Sequence, residues 1–233
     1  MLAEIKQLLE LQAIDERLAD ANARISRLEG DLKRLHAAID DEKDHEANAQ
    51  EALRQIQHES RMKNLEVDDL DMQIRGYQKR LDEGIISFKE MEDLRAKITS
   101  ERTRIDQLED EALSLMDSIE ASTRDADAAK ARLSEREVKL RGQIEKTETQ
   151  IAETKTLLEE ITANRAKTVD AAPSYLVSQY ESLHARFPNP VAEIRNGTCT
   201  GCKLRVSGNT AERARGELGV VTCEHCSRVL YTP

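Results

Sequence analysis

The chain has 233 residues, of which 34% are charged and only 3% are aromatic. A globular protein of this length usually fills its core with large aromatic side chains, and this chain has few of them. The composition therefore favours long helices. No stretch approaches the roughly 20 consecutive apolar residues of a membrane span, and the N-terminus has no signal-peptide pattern. We therefore expect a cytoplasmic protein, in which paired cysteines are metal ligands or redox groups rather than structural disulfides.

Charge is distributed unevenly along the chain. Residues 187–233 carry six basic and four acidic side chains, whereas residues 1–186 carry 29 basic and 41 acidic ones. The first part therefore has a net charge of −12 and the tail one of +2. Any nucleic-acid contact should belong to the tail, because the first part repels phosphate backbones.

A regular apolar repeat begins near the N-terminus. Steps of alternately three and four residues from Leu11 to Leu81 give 21 positions, of which 17 are apolar. A period of 3.5 residues sustained over about ten heptads predicts a left-handed coiled coil. The polar exceptions mark weak layers near its middle, at Glu42, Glu46, Ser60 and Lys63.

The heptad pattern breaks at the segment EGIISFKE. Gly84 interrupts a helix, and Ser87 is a good N-cap with Glu90 three residues after it. Ser87 and Glu90 together form the capping box that opens a new helix. We therefore predict that the chain turns near residues 82–87.

A second apolar repeat follows this turn and continues to Ile161. The two arms have about the same length, which predicts an antiparallel coiled-coil hairpin within one chain, over residues 1–170. The expected fold class is therefore mainly α, with a small C-terminal β domain.

The pairing of the two arms can also be predicted. Pairing about residues 84–85 places the alanine-rich segment 121–132 opposite residues 37–48, so that poor layers of one arm meet poor layers of the other. Two successive four-residue steps near Leu133 interrupt the heptad phase, as in a stutter. We expect either a bend or soft segment there, or a locally weak coiled coil without functional meaning.

Residues 171–190 are predicted to be a joint between two modules. Pro173 suits the start of a helix, and a short apolar repeat follows it. Pro188 and Pro190 then stop the helix. This segment should therefore contain one short helix and a linker.

Residues 191–233 are predicted to form the small β domain. The segment VAEIRNG predicts a strand that enters an Asn-Gly turn, and GVVTC and SRVLYT predict two further strands. Between the first two strands, SGNTAERARGEL predicts one short helix, capped by Ser207 or Asn209.

All four cysteines lie in this domain, in the pairs CTGC and CEHC. Two residues lie inside each pair and twenty between the pairs, which is the spacing of a four-cysteine structural zinc site. Four thiolates leave no open position for water or substrate, so we expect one structural Zn²⁺ ion per chain. A redox dithiol would need only one pair, within an α/β domain that this tail is too short to build. His225, inside the second pair, is interpreted as an exposed loop residue.

The order of parts resembles a bacterial family in which a long coiled-coil hairpin precedes a C-terminal four-cysteine zinc ribbon. The resemblance is carried by EGIISFKEMEDLRAKI at 83–98, by NGTCTGCKLRV and by CEHCSRVLY. It implies that the zinc ligands are Cys199, Cys202, Cys223 and Cys226. One departure is Ser227, because the family's second knuckle usually has glycine there, at a position that often needs a left-handed backbone.

The resemblance also implies partners. Members of this family are implicated in flagellar or type III secretion systems, in contacts with an alternative sigma factor, and in messenger RNA binding. An adaptor or chaperone-like scaffold is the function we favour, because the expected zinc site is closed and the sequence contains no catalytic constellation.

Two other classes of function are considered. The first is a regulator that binds nucleic acid, with Tyr231 as a stacking group and candidate phosphate contacts at Arg195, Lys203, Arg205, Arg213, Arg215 and Arg228. The simpler interpretation of these six bases is that they are ordinary solvated charges. Zinc-bound thiolates would cancel the small net positive charge of the tail, so RNA binding should be weak. The second class is an enzyme, for which we find no nucleophile and base pair, no phosphate loop and no open metal site.

Overall fold

The computed structural model describes residues 3–216 and 219–233 of the chain. They divide into two units, one of Arg34–Ile144 and one of Met1–Lys33 with Glu145–Pro233. Two long helices contribute to both units, α1 (Ala3–Asp82) and α2 (Phe88–Ala171). Leu, Ala, Glu, Lys and Arg dominate both helices, and these residues have high helix propensity. The predicted class, a coiled-coil hairpin with a small C-terminal strand region, is confirmed.

The turn between the helices lies in the unit Arg34–Ile144. Gly84 has a φ of +70°, a left-handed conformation that glycine adopts without steric cost. The backbone N–H of Glu90 donates to Ser87 Oγ at 3.2 Å, so the predicted N-cap of α2 is confirmed. The carboxylate of Glu90 accepts a hydrogen bond from Arg80 of α1 at 2.7 Å, which ties the two helices together beside the turn.

The predicted seam of α1 is confirmed by burial. Every position of the repeat from Leu11 to Leu81 is buried or half-buried, including the polar ones. The buried carboxylate of Glu42 contacts Arg132 at 2.9 Å and Arg136 at 3.1 Å, and Lys63 contacts Glu111 at 2.5 Å. Ion pairs between the helices therefore occupy seam layers in which α1 has a polar instead of an apolar residue.

The pairing of the arms is partly as predicted. The pair Arg80–Glu90 is symmetric about residue 85, as expected. Further along, the alanine-rich segment 121–132 lines one groove with residues between 45 and 52, so the predicted pairing with 37–48 is displaced by about one helical turn. Heptad periodicity determines which face of a helix is buried but not the axial stagger of two helices, which explains the error. Helix α2 continues without interruption through the predicted stutter.

The other unit contains the remaining elements. They are α3 (Ser174–His184), β1 (Val191–Arg195), β2 (Thr198–Cys199), α4 (Gly208–Arg215), β3 (Val221–Thr222) and β4 (Val229–Tyr231). The sheet order is β2-β1-β4-β3, in which β1 and β4 are parallel and the outer pairs are antiparallel. The three predicted strands are present, whereas β2 was not predicted.

Local sequence explains the connections of this sheet. Asn196 and Gly197 have φ values of 51° and 69°, the signature of the tight turn that returns β1 into β2. Ser207 Oγ accepts from the backbone N–H of Thr210 at 3.2 Å, so Ser207 rather than Asn209 caps α4. Residues 217 and 218 of the predicted helical segment lie outside the described residues.

An apolar cluster joins α3 to the start of α1 and to the sheet. Leu176, Tyr180 and Leu183 of α3 are buried, and they pack in one cluster with Leu8, Leu11, Val191 and Val229. This cluster positions the small sheet, and with it the cysteines, against the base of the hairpin. Among the described residues, no helix contains a segment apolar enough, over sufficient length, to cross a membrane.

Candidate metal centre

Each cysteine pair lies on a tight turn, and the two turns have the same geometry. The N–H of Lys203 donates to the carbonyl of Cys199 at 2.9 Å, and the N–H of Ser227 donates to that of Cys223 at 2.9 Å. Lys203 and Ser227 have φ values of 65° and 62°. The left-handed position expected at Ser227 is therefore present, and Lys203 is its equivalent in the first turn.

The two turns bring all four cysteines together. Their Sγ atoms lie within 4.8 Å of one another, with 3.9 Å between Cys199 and Cys226 and 3.8 Å between Cys202 and Cys223. A tetrahedral ion with metal–sulfur bonds of about 2.3 Å requires sulfur atoms about 3.8 Å apart. The four cysteines are free rather than disulfide-bonded, and their separation fits a single metal ion.

Burial and backbone donors act in opposite directions on these thiols. Burial raises the pKa of Cys199, and it raises the pKa of Cys223 to about 12. Backbone N–H groups of Gly201 and Cys202 hydrogen-bond to Cys199 and oppose that effect. For Cys226, burial is outweighed by hydrogen bonds from Arg228 and from neighbouring thiols, so its pKa falls to about 7. Donors of this kind favour the thiolate, which is the form that binds a metal.

Arg228 lies directly against both turns. It is only 8% exposed, and its backbone carbonyl accepts a hydrogen bond from the N–H of Cys223 at 2.8 Å. Its side chain crosses Gly201 so closely that a Cβ at that position would lie 2.6 Å from Arg228 Cδ. A side chain at position 201 would therefore force Arg228 to shift, and the guanidinium belongs to the surroundings of the first cysteine turn.

The other candidate phosphate contacts lie on the surface. The exposed residues of this group are Arg195, Lys203, Arg205, Arg213 and Arg215. Arg195 pairs with Glu193 at 2.6 Å, and Tyr231 is half-buried beside the apolar cluster. Arg228 differs from this group, because its side chain is buried.

His225 lies outside the sulfur cluster. It is exposed, and its Nε2 is 3.1 Å from the carbonyl oxygen of Arg205. A loop position of this kind agrees with the interpretation of His225 from the sequence.

Residues 11–187 match the family model of the CT398-like coiled coil hairpin domain. The chain belongs to the CT398-like family. No curated protein matches it. Among solved structures, CT398 from Chlamydia trachomatis is similar with a TM-score of 0.87 and 19% identity, over 99% of this chain and 98% of that one.

Two further solved structures share the fold. A protein from Mycobacterium smegmatis has a TM-score of 0.74 and 20% identity, over 100% of both chains. HP0958 from Helicobacter pylori has a TM-score of 0.58 and 21% identity, over 98% of this chain and 97% of that one. At these identities the comparisons show the fold.

Sequence reasoning missed two residues that contact Arg228, one at each side: Gly201 and Phe187, whose ring centroid lies 3.8 Å from the guanidinium carbon. Gly201 was treated only as a spacer, although its lack of a side chain admits Arg228. Phe187 was not singled out, although it is one of only two phenylalanines in the chain and immediately precedes Pro188. An isolated aromatic residue between a helix and a proline was the available signal.

Proposed function

We propose that the chain is a non-enzymatic adaptor or chaperone-like scaffold, with one structural Zn²⁺ ion in its C-terminal ribbon. The convergence of four Sγ atoms within 4.8 Å carries this proposal. Four protein thiolates complete a tetrahedral coordination sphere and leave no position for a substrate or a reactive water. A tetrahedral all-thiolate set suits zinc, whose role here would be to hold the two cysteine turns together.

Apolar side chains on the hairpin support a protein partner. At the turn, Ile85 is 94% exposed and Phe88 is 71% exposed. Met62 of α1 and Met116 of α2 are also more than half exposed. Neighbouring large apolar side chains left in water, as Ile85 and Phe88 are at the turn, are typical of surfaces that bind other proteins.

The resemblance described above suggests which partner to test. We propose a component of a flagellar or type III secretion system, or an alternative sigma factor, bound in the bacterial cytoplasm. Charge supports a protein rather than RNA, since residues 1–186 carry a net charge of −12.

Capture from bacterial cytosol tests the adaptor role. The full chain, kept zinc-loaded, should retain secretion components or a sigma factor, identified by mass spectrometry, and RNase should leave the retained set unchanged. The double variant Ile85→Ser, Phe88→Ser should retain less if the turn is the binding surface. Val138→Ser is the matched control, because Val138 is 72% exposed elsewhere on α2. Retention of RNA alone, abolished by RNase, would contradict the adaptor role.

Metal analysis tests the zinc site independently of any partner. Protein purified without added zinc should contain about one equivalent per chain. Cys199→Ser and Cys226→Ser should each lose it, whereas His225→Ala should keep it because His225 lies outside the sulfur cluster. One equivalent of zinc per chain in both cysteine variants would contradict the four-cysteine site.

A further inference from the structure

Arg228 connects the cysteine turns to the linker between α3 and β1. Its Nε donates to the carbonyl oxygen of Asn189 at 2.8 Å. Its guanidinium carbon lies 3.8 Å from the centroid of the Phe187 ring, well within the range of a cation–π contact. One buried side chain therefore contacts the linker on one side and crosses the first cysteine turn at Gly201 on the other.

The linker in turn positions the small sheet. The N–H of Phe187 donates to the carbonyl of Leu183 at the end of α3, at 2.8 Å. The N–H of Val229 donates to the carbonyl of Pro190 at 3.0 Å, at the start of β4. Movement of residues 187–190 would therefore loosen the junction between α3 and the sheet.

Charge and packing together explain why this arrangement would depend on the metal. A divalent ion with four thiolates carries a net charge of about −2, and a nearby guanidinium compensates part of it. Arg228 is 8% exposed, and its side chain crosses the first cysteine turn at Gly201, so its packing depends on the position of that turn. Loss of the metal that holds the turn would let the turn move, and Arg228 would then lose its support and release the linker.

We propose that Arg228 is a positioning residue that couples the metal centre to the linker, so that metal binding holds residues 187–190 and the linker slows metal loss. The inference rests on the structural metal of the proposed function. Thermodynamic coupling is reciprocal, so each site must affect the other. Phe187, which is not a ligand, should therefore influence metal retention.

The rate of zinc transfer to a chromophoric chelator tests this coupling. Phe187→Ala should bind one equivalent of zinc and lose it about fivefold faster than the unaltered chain, the factor expected for a partly desolvated cation–π contact. Val138→Ala is the control and should not change the rate, because Val138 is 72% exposed on α2.

The outcomes separate this inference from the proposed function. An unchanged rate in Phe187→Ala would overturn the coupling while the zinc site and the adaptor role stand. A chain that retains its linker contacts but binds no zinc would overturn the zinc site itself.

Hydrogen exchange measures the same coupling from the linker side. Chelation of zinc should accelerate exchange at the amides of Phe187 and Val229 by about tenfold, as local opening would. Arg228→Gln with zinc bound should show the same acceleration of exchange. Arg228→Lys keeps the charge but loses the planar guanidinium, so its exchange rate should lie between those of the unaltered chain and Arg228→Gln. If chelation accelerates exchange at residues 199–206 but not at the linker, the proposal is wrong.

Discussion

Asp15 is a buried carboxylate on which three elements meet. It is 5% exposed, and it accepts hydrogen bonds from both Nε and Nη2 of Arg165 on α2 and from the hydroxyl of Tyr180 on α3, the last at 2.9 Å. Burial together with Asp15 raises the pKa of Tyr180 far above its usual range, so this phenol remains a donor. Arg165 also contacts Glu181 of α3 at 2.7 Å. The network fixes α3 to the base of the hairpin.

Loss of the ion pair at Asp15 should lower the free energy of unfolding more than loss of the ion pair at Glu181. Arg165→Met should lower the free energy of unfolding by about 3–5 kcal/mol, because it leaves Asp15 buried without its cation. Glu181→Gln should cost less than about 1 kcal/mol, because Glu181 is 43% exposed and water can replace the lost interaction. Urea unfolding followed by circular dichroism measures both. Equal losses in the two variants would contradict the assignment of Asp15 as the buried centre.

This network could not be predicted from sequence periodicity. Asp15 and Arg165 are separated by 150 residues, and their contact requires the correct stagger of two helices. The convergence of the cysteines was easier to predict, because each pair lies on a turn a few residues long and twenty residues suffice to bring the turns together. Arg228 was interpreted as a surface charge because its stacking partner, Phe187, is brought near by the folding of the linker.

At the scale of elements, two glycines of α1 and its turn illustrate opposite constraints. Gly84 has a φ of +70° and ends the first arm. Gly76 lies inside α1, and a Cβ added there would meet nothing within 4 Å. The first glycine is required by its backbone conformation, whereas the second weakens the helix without any packing reason.

Alanine substitutions at these positions should therefore have opposite signs. Gly84→Ala should lower the free energy of unfolding by about 1 kcal/mol, since alanine is strained at positive φ. Gly76→Ala should raise it by about 0.5–1 kcal/mol through better helix propensity. Thermal unfolding of the two variants beside the unaltered chain measures the difference. Stabilisation by both substitutions would show that the chain does not turn at Gly84.

The elements themselves were largely predictable from sequence because their signals are local. The heptad seam and the cap at Ser87 depend on residues within a few positions of one another. The parallel pairing of β1 with β4 was not predictable, because Val191 and Val229 meet only after the intervening knuckles and α4 have folded. Strand β2 is two residues long and carries no alternation of its own.

At the scale of the whole molecule, charge bears on the choice of partner. The chain has a formal net charge of −10, and residues 1–186 account for −12. Four thiolates and a divalent ion would add about −2 to the tail and cancel its small excess. Long-range electrostatics should therefore oppose association with nucleic acid.

RNA binding should accordingly be weak. For single-stranded RNA at physiological salt we expect a dissociation constant above about 10 μM and almost no dependence on salt, whereas four phosphate contacts would give a log–log slope of roughly −3. The variant Arg205→Glu, Arg213→Glu, Arg215→Glu tests the exposed bases while zinc content is monitored. Sub-micromolar binding that collapses in this variant at unchanged zinc would replace the adaptor with a nucleic-acid-binding regulator.

X-ray absorption at the zinc edge of the full chain tests the central claim, a closed metal centre that holds a scaffold together. The account predicts about one zinc per chain with four sulfur ligands at about 2.3 Å and no nitrogen or oxygen ligand. Such a coordination sphere has no position at which catalysis could occur. A ligand set with three or fewer sulfur atoms and a bound water would contradict the account, because it would describe an open metal site.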